Sequence, residues 1–339
     1  ANLENIACVR KHLSSGEIYF SETGNQLIRK INNAGNITTV AGVGNNPFPH
    51  EEPTDGNALV QDLGQTSDFV IFEDFIYLVL VDWNVLAKIN INTGDFTVIL
   101  SSTDGYAPLN VALNSEGVIF FSQLTNDVIY RLVEGETPTI YAGNGNAGFS
   151  GDGGPATGAE LDQPRTITFD NEDNLYIYDS RNDRVRKVIA ATGVINTIIG
   201  GGVSTNFNIA ATDFNLNQHR TAGLSIDQNT NDIYITYDSI ILKINNFDQL
   251  LSRFAGIADF AGDGFLGDKG SPLTANLALA GFFELGSMHV ISSNEIYIAD
   301  EENNRIRKIY CGDVPTVCPD FTTVISLIAF DGDIVNIDS

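Results

Sequence analysis

Basic residues are scarce in this chain. Its 339 residues include 18 Lys+Arg against 43 Asp+Glu, a formal net charge of −25. That shortage argues against nucleic acid, whose phosphates demand clustered cations, and against docking on anionic lipid. It suits cation binding, a basic partner or simple solubility. Long apolar runs are also missing. The longest, Phe75 to Val81, is strand-sized, so no membrane span is expected. No basic-then-apolar leader follows Ala1, so a signal peptide is expected to have been removed or never included. Cysteine is limited to Cys8, Cys311 and Cys318, and an odd count leaves at least one thiol unpaired in a monomer. Cys311 and Cys318 flank a short Pro-containing loop, which leaves open either a hairpin-closing disulfide or two free thiols. Cys8 lies in an apolar-leaning stretch and reads as a small buried residue, not a nucleophile. The four histidines, His12, His50, His219 and His289, are scattered singly, without zinc-ligand spacing. No ten-residue run carries helical periodicity. The 43% hydrophobic content still argues against disorder.

What is present is repetition. One line reads Tyr176-Ile-Tyr-Asp-Ser-Arg-Asn182-Asp-Arg-Val-Arg-Lys187-Val188, and it returns from Tyr19, Phe120 and Tyr297. In all four copies the aromatic is six residues before an Asn and eleven before a Lys or Arg. Weaker copies start at Tyr77, with Asn84 displaced by one, and at Tyr234, where the Asn is lost and the interval to Lys243 shrinks. Each copy holds two strand-like runs around a polar turn. A third strand running toward Gly follows, as in Ile37 to Gly42 and Val194 to Gly200, and a fourth precedes. Six units of four antiparallel strands predict an all-β fold, a six-bladed β-propeller. The expected blades cover residues 1–42, 60–101, 106–143, 161–200, 219–256 and 282–328. The tail, 329–339, is expected to pair beside the first blade. A solenoid of the same strands would need capping units, and the spacing shows none.

Two segments carry a family resemblance. One is Tyr297-Ile-Ala-Asp-Glu-Glu-Asn-Asn-Arg-Ile-Arg-Lys-Ile309. The other is Ala142-Gly-Asn-Gly-Asn-Ala-Gly-Phe-Ser-Gly-Asp-Gly-Gly-Pro-Ala-Thr157, with a degraded copy from Ala255 to Pro272. The chain resembles the NHL-repeat propellers, and the second segment is similar to blade linkers of bacterial surface NHL proteins and of teneurins. The resemblance covers nearly the whole chain. It implies the fold, whereas function inferred from fold alone is analogy.

Several residues then acquire expected places. The turn Asn suits a left-handed backbone. The Arg and Lys of the following strand are expected along the blade surface, with packed stems and solvated heads. Thr166, Thr168, Ser225, Ser287 and His289, with Asn110 in the register of Thr166, are expected to face a central channel. Propeller topology gathers the long linkers, roughly 43–66, 143–164, 200–220 and 256–284, with the second-to-third-strand turns on one face. Such loops make that face the expected binding site. Its candidate residues are Trp83, His50, Phe149, Asp152, His219 and Asp263. Trp83 is the only tryptophan and stands where sister repeats carry Gly24, Thr125, Arg181 and Glu302. Packing under the 43–66 loop is the alternative reading of Trp83.

Two classes of function remain. The first is a non-enzymatic recognition module of an extracellular or cell-surface protein, binding a protein, peptide or glycan as a monomeric domain without a cofactor. The second is a metal-dependent hydrolase or lyase at the channel mouth, similar to the amidating-lyase or lactonase-type propellers. There His219 and His289 leave a two-histidine site open and Glu284 stands as a general base. Calcium is the metal that Asp152 and Asp263, on Gly-rich loops, are chemically suited to hold, although Gly-Asp-Gly is also an ordinary turn. A third reading, a structural domain within a larger assembly, shares every sequence feature of the first.

Overall fold

The computed structural model describes residues 3–44, 51–216, 223–257, 271–277, 279, 288–301, 303–311, 323–330 and 333–334. Six antiparallel sheets pack in succession as a six-bladed β-propeller. Blade 1 takes Ile6–Lys11, Ile18–Glu22, Leu27–Ile31 and Ile37–Ala41, from channel to rim. Blade 2 takes Thr66–Phe72, Phe75–Leu80, Val85–Asn90 and Asp95–Leu100. Blade 3 takes Asn110–Leu113, Ile119–Gln123, Val128–Leu132 and Thr139–Ala142. Blade 4 takes Pro164–Phe169, Leu175–Asp179, Arg184–Val188 and Ile195–Gly200. Blade 5 takes Leu224–Ile226, Ile233–Tyr237, Ile240–Ile244 and Leu250–Gly256. Blade 6 takes Met288–Ser292, Glu295–Asp300, Arg305–Cys311 and Thr323–Phe330.

Strand register explains the repeat. Tyr19, Tyr77, Phe120, Tyr176, Tyr234 and Tyr297 sit directly opposite Lys30, Lys88, Arg131, Lys187, Lys243 and Lys308. Residues that face each other across a hairpin keep a fixed sequence interval when the turn length is fixed. Blade 5 is two residues shorter because its strands turn directly from Tyr237 to Ile240. In blades 1, 4, 5 and 6 the lysine ammonium lies 4.8–5.9 Å from the opposing tyrosine ring centre, a favourable cation–π distance.

Three blades have a short fifth strand, which four strands per unit did not anticipate. Gly56–Asn57 pairs with the outer strand of blade 2, and Ile209–Ala210 with that of blade 5. Both come from the preceding linker. Asp333–Ile334 pairs with Ala329 and Phe330 of blade 6. The described part of the tail therefore extends the last blade instead of joining the first.

Each long linker ends in the same knuckle. A 3-10 turn stands at Ala58–Val60, Ala156–Gly158, Ala211–Asp213 and Pro272–Thr274. The buried Leu63, Leu161, Leu216 and Leu277 come five residues after the start of each turn. These leucines join the apolar clusters that fill the grooves between successive blades, each contributing about 2–3 kcal/mol by burial. The second-to-third-strand turn explains the glycine that ends the outer strand. Gly143 has φ 90°, and a Cβ there would lie 2.4 Å from the Asp127 carbonyl of the turn beside it. Gly200 repeats the arrangement at φ 84° against Asp183. Only glycine tolerates both the left-handed backbone and the close approach.

Blade 6 meets blade 1 through one more apolar cluster, in which Ile6, Val9 and Phe20 pack on Tyr297, Ala299 and Ile306. Asn5 N–H donates to Asn304 Oδ1 at 2.7 Å across this junction. No helix among the described residues is long and apolar enough to cross a membrane.

Candidate functional site

Two regions gather polar chemistry. The first is the channel, a cavity of about 650 Å³ lined by the inner strands and by the first-to-second-strand turns. It opens on the face opposite the linkers, because the linkers contact the second-to-third-strand turns instead, as in Arg181 N–H to Asp162 O at 3.1 Å. Thr166, Thr168, Ser225, His289 and Asn110 line it, and Ser287 lies outside the described residues.

Much of that polarity ties blade to blade. Cys8 Sγ donates to Asp68 Oδ1 at 3.3 Å. Asn110 Nδ2 donates to Asp68 Oδ2 at 2.6 Å, while Asn110 Oδ1 accepts Ile167 N–H at 2.8 Å. Ser225 Oγ accepts Val290 N–H at 3.1 Å, and His289 Nδ1 accepts Lys11 N–H at 2.9 Å. Arg10 spans three blades, bonding Asp68 at 2.9 Å and the Met288 carbonyl at 3.4 Å. Burial pushes the Asp68 carboxyl up despite Arg10 and the Cys8 hydrogen bond. Burial also pushes the Cys8 thiol far up, so Cys8 is a buried structural thiol, not a nucleophile. Burial, with Arg10 and Lys11 nearby, brings the His289 imidazole down to about 3 and keeps it neutral.

The second region is the linker face of blade 4. The sequence reading placed the repeated arginines on a solvated surface, but Arg186 and Arg307 are wholly buried. Arg186 reaches Asp179 at 3.3 Å, Asp152 at 2.8 Å and the Ser150 carbonyl at 3.0 Å. Arg307 reaches Asp300 at 3.1 Å and the Asn276 carbonyl at 2.6 Å. In blade 1, Arg29 repeats the pairing with the buried Glu22 at 2.9 Å. The repeated Asn is an amide donor to the same carboxylate: Asn182 to Asp179 at 2.8 Å, Asn303 to Asp300 at 2.9 Å. The left-handed residue is the next one, Gln26, Asp127, Asp183 or Asn304. Asn84, displaced by one in the sequence, occupies that left-handed position itself. A carboxylate, an amide and a guanidinium thus form a buried node. In blades 4 and 6 the arginine of that node holds the incoming linker by its carbonyls, because buried charges persist only when paired and hydrogen-bonded. Burial raises Asp179 to about 6, against the hydrogen bonds from Asp162, Asn182 and Arg186 that favour its charge.

The predicted site residues separate accordingly. Phe149 and Asp152 come together: Asp152 is the ion partner of Arg186, and the Phe149 ring lies 3.9 Å from the Arg184 guanidinium carbon and 5.0 Å from that of Arg186. Trp83 is half-buried on blade 2, packed on the cluster between blades 1 and 2 and close over linker Gly64. His50, His219, Asp263 and Glu284 lie outside the described residues, as does Cys318. No group of three His, Cys, Asp or Glu side chains set to hold a metal occurs among the described residues. Sequence reasoning missed Arg184, Arg186 and the Asp179 node. The signal was available in Asp179-x-x-Asn182-x-x-x-Arg186, repeated from Asp300 and, with Glu, from Glu22.

Six blades, with buried carboxylate–amide–arginine nodes in blades 1, 4 and 6, make this an NHL-type β-propeller. Residues 78–314 match the teneurin NHL domain family, and the chain belongs to that family. No curated protein sequence matches the chain. Among solved structures, it is similar to a Bacteroides thetaiotaomicron protein of unknown function, with TM-score 0.61 and 16% identity over 96% of this chain and 70% of that one. It is also similar to virginiamycin B lyase from Staphylococcus aureus, with TM-score 0.54 and 12% identity over 94% and 88%. A chain of the nidogen/laminin complex gives TM-score 0.51 and 12% identity over 90% and 95%. At these identities the likeness is one of fold.

Proposed function

We propose that this propeller is a non-enzymatic recognition module of an extracellular or cell-surface protein, and that its linker-bearing side binds a protein, peptide or glycan. The observation that carries the reading is where exposed apolar surface lies. More than half of the described exposed large hydrophobic residues, namely Val43, Leu59, Val60, Phe149, Val203 and Leu273, are on linkers. These side chains are spread over four linkers, and among them Phe149, an aromatic braced by two guanidinium groups, is a pre-ordered anchor. The inner ring, where a propeller enzyme of this type would place its chemistry, spends Asp68, Asn110 and one nitrogen of His289 on joining blades. Family membership and the nidogen/laminin likeness support a protein partner outside the cell.

Arrays of extracellular proteins and of glycans provide the test. Wild type is expected to yield a ligand whose affinity falls at least tenfold when Trp83, His50 and Phe149 are all replaced by Ala. A triple variant that binds every ligand as wild type does would overturn the face assignment. This reading needs no cofactor. Metal analysis with thermal melts in chelator tests the enzyme alternative: about one equivalent of calcium or zinc, whose removal lowers the melting temperature, would move attention to the channel mouth.

A further inference from the structure

We infer that the channel is a second binding site, for a small monocarboxylate with an apolar end. The aromatic anchors of the second strands face one ring of inner-strand residues: Arg10, Val70, Ala112, Thr168, Ser225 and His289. All six line the cavity. The ring is two-sided. Blades 2 and 3 contribute the apolar Val70 and Ala112, and the other four blades contribute polar groups.

Three of those groups, Thr168, Ser225 and His289, are left as donors. His289 Nδ1 accepts Lys11 N–H, so the neutral ring carries its proton on Nε2. Ser225 Oγ accepts Val290 N–H, which leaves its O–H to donate. The Thr168 hydroxyl bonds no other described residue. Arg10 and Lys11 add positive potential at the imidazole, which helps to keep it uncharged. Among the acidic groups around the cavity, Asp68 is paired with Arg10 and Asp170 with Lys187, whereas Asp173 accepts only from the neutral Ser115 and keeps its negative charge. Glu73 and Asp173 both line the cavity, and their negative charge limits it to a ligand of a single negative charge. Three donors and two apolar side chains lining one cavity match one carboxylate with a short hydrocarbon tail. The volume lies within the range of small-molecule sites.

The probes are isobutyrate and its neutral isostere isobutyramide, followed by saturation-transfer NMR on the intact chain. Isobutyrate is expected to bind with a Kd of about 1 mM, ordinary for so few atoms, and isobutyramide about tenfold more weakly. Thr168→Val keeps shape and removes a hydroxyl that no other described residue uses, so it tests the site without threatening the fold. It is expected to weaken isobutyrate roughly threefold to tenfold. Ser225→Ala is expected to do the same. Equal binding of acid and amide would overturn the inference. So would unchanged affinity in both variants, or the absence of isobutyrate binding at tens of millimolar. The linker-face reading stands or falls separately, because neither variant touches a linker.

Discussion

Replacing Arg186 by Met tests whether the buried node holds the blade 4 linker. The side chain is wholly buried and its loss removes contacts to Asp179, Asp152, Ser150 and Glu160. The electrostatic part can be bounded. Asp179 already stands near 6 against an ordinary 3.8. Without its cation the carboxyl rises further and takes up a proton, so at pH 7 the added penalty stops at about 1.4 kcal/mol, one unit of titration. Two carbonyls lose charged donors, at about 1 kcal/mol each, and Phe149 loses part of its cation–π support, about 0.5 kcal/mol. The sum is about 3–4 kcal/mol, at the low end for breaking a buried pair. The sign with pH follows from the raised value. Below about 6 the wild-type carboxyl is itself protonated, so the difference between wild type and variant shrinks by about 1 kcal/mol between pH 7 and pH 5. Denaturant titration at the two pH values measures it, with limited proteolysis across 144–153 reporting linker release. Asp152→Asn, at a side chain 39% exposed, is expected to cost under about 1 kcal/mol. A loss below about 1 kcal/mol for Arg186→Met, or one independent of pH, would refute the account.

Glu295 accepts hydrogen bonds from Lys11, Lys308 and Tyr297. Burial works against its charge, but those donors win and hold it near 2. Because the folded value is depressed, its stabilisation is full above about 4.5 and is lost as pH falls toward 2. Glu295→Gln should therefore flatten the acid limb of the stability curve by about 1–2 kcal/mol, read by denaturation between pH 6 and pH 2.5. Gly143→Ala should cost about 2–4 kcal/mol in urea titration, since a Cβ would meet the Asp127 carbonyl at 2.4 Å. Peptide mapping after iodoacetamide treatment should find Cys8 unmodified in native protein and modified once unfolded, because it is fully buried.

The legible part of the fold was its hairpins. Tyr176 and Lys187 announce a blade because a fixed turn locks their register, and that periodicity survives in the sequence. The fifth strands did not show, since Gly56–Asn57 and Ile209–Ala210 are two residues each, too short for any alternation. Arg186 was misread because local composition suggests a solvated face. Its partners, Asp179 and Asp152, lie on another strand and on a linker, and only their assembly makes burial affordable. The channel residues Thr168, Ser225 and His289 were anticipated by alternation. Which end of the channel opens was not, because inner strands look alike from either face.

The junction of blades 6 and 1 has a consequence for how this ring can be cut. Among the described residues no strand is shared there: blade 1 draws on residues 6–41 and blade 6 on residues 288–330 and 333–334. The seam is side chains and a few polar bonds, so it resembles the other five blade junctions more than a clasp. A gene joined across that seam and reopened in the short 101–109 connection would keep every sheet whole. Such a circular permutant would carry its ends between blades 2 and 3, while its blades stayed in their original cyclic order.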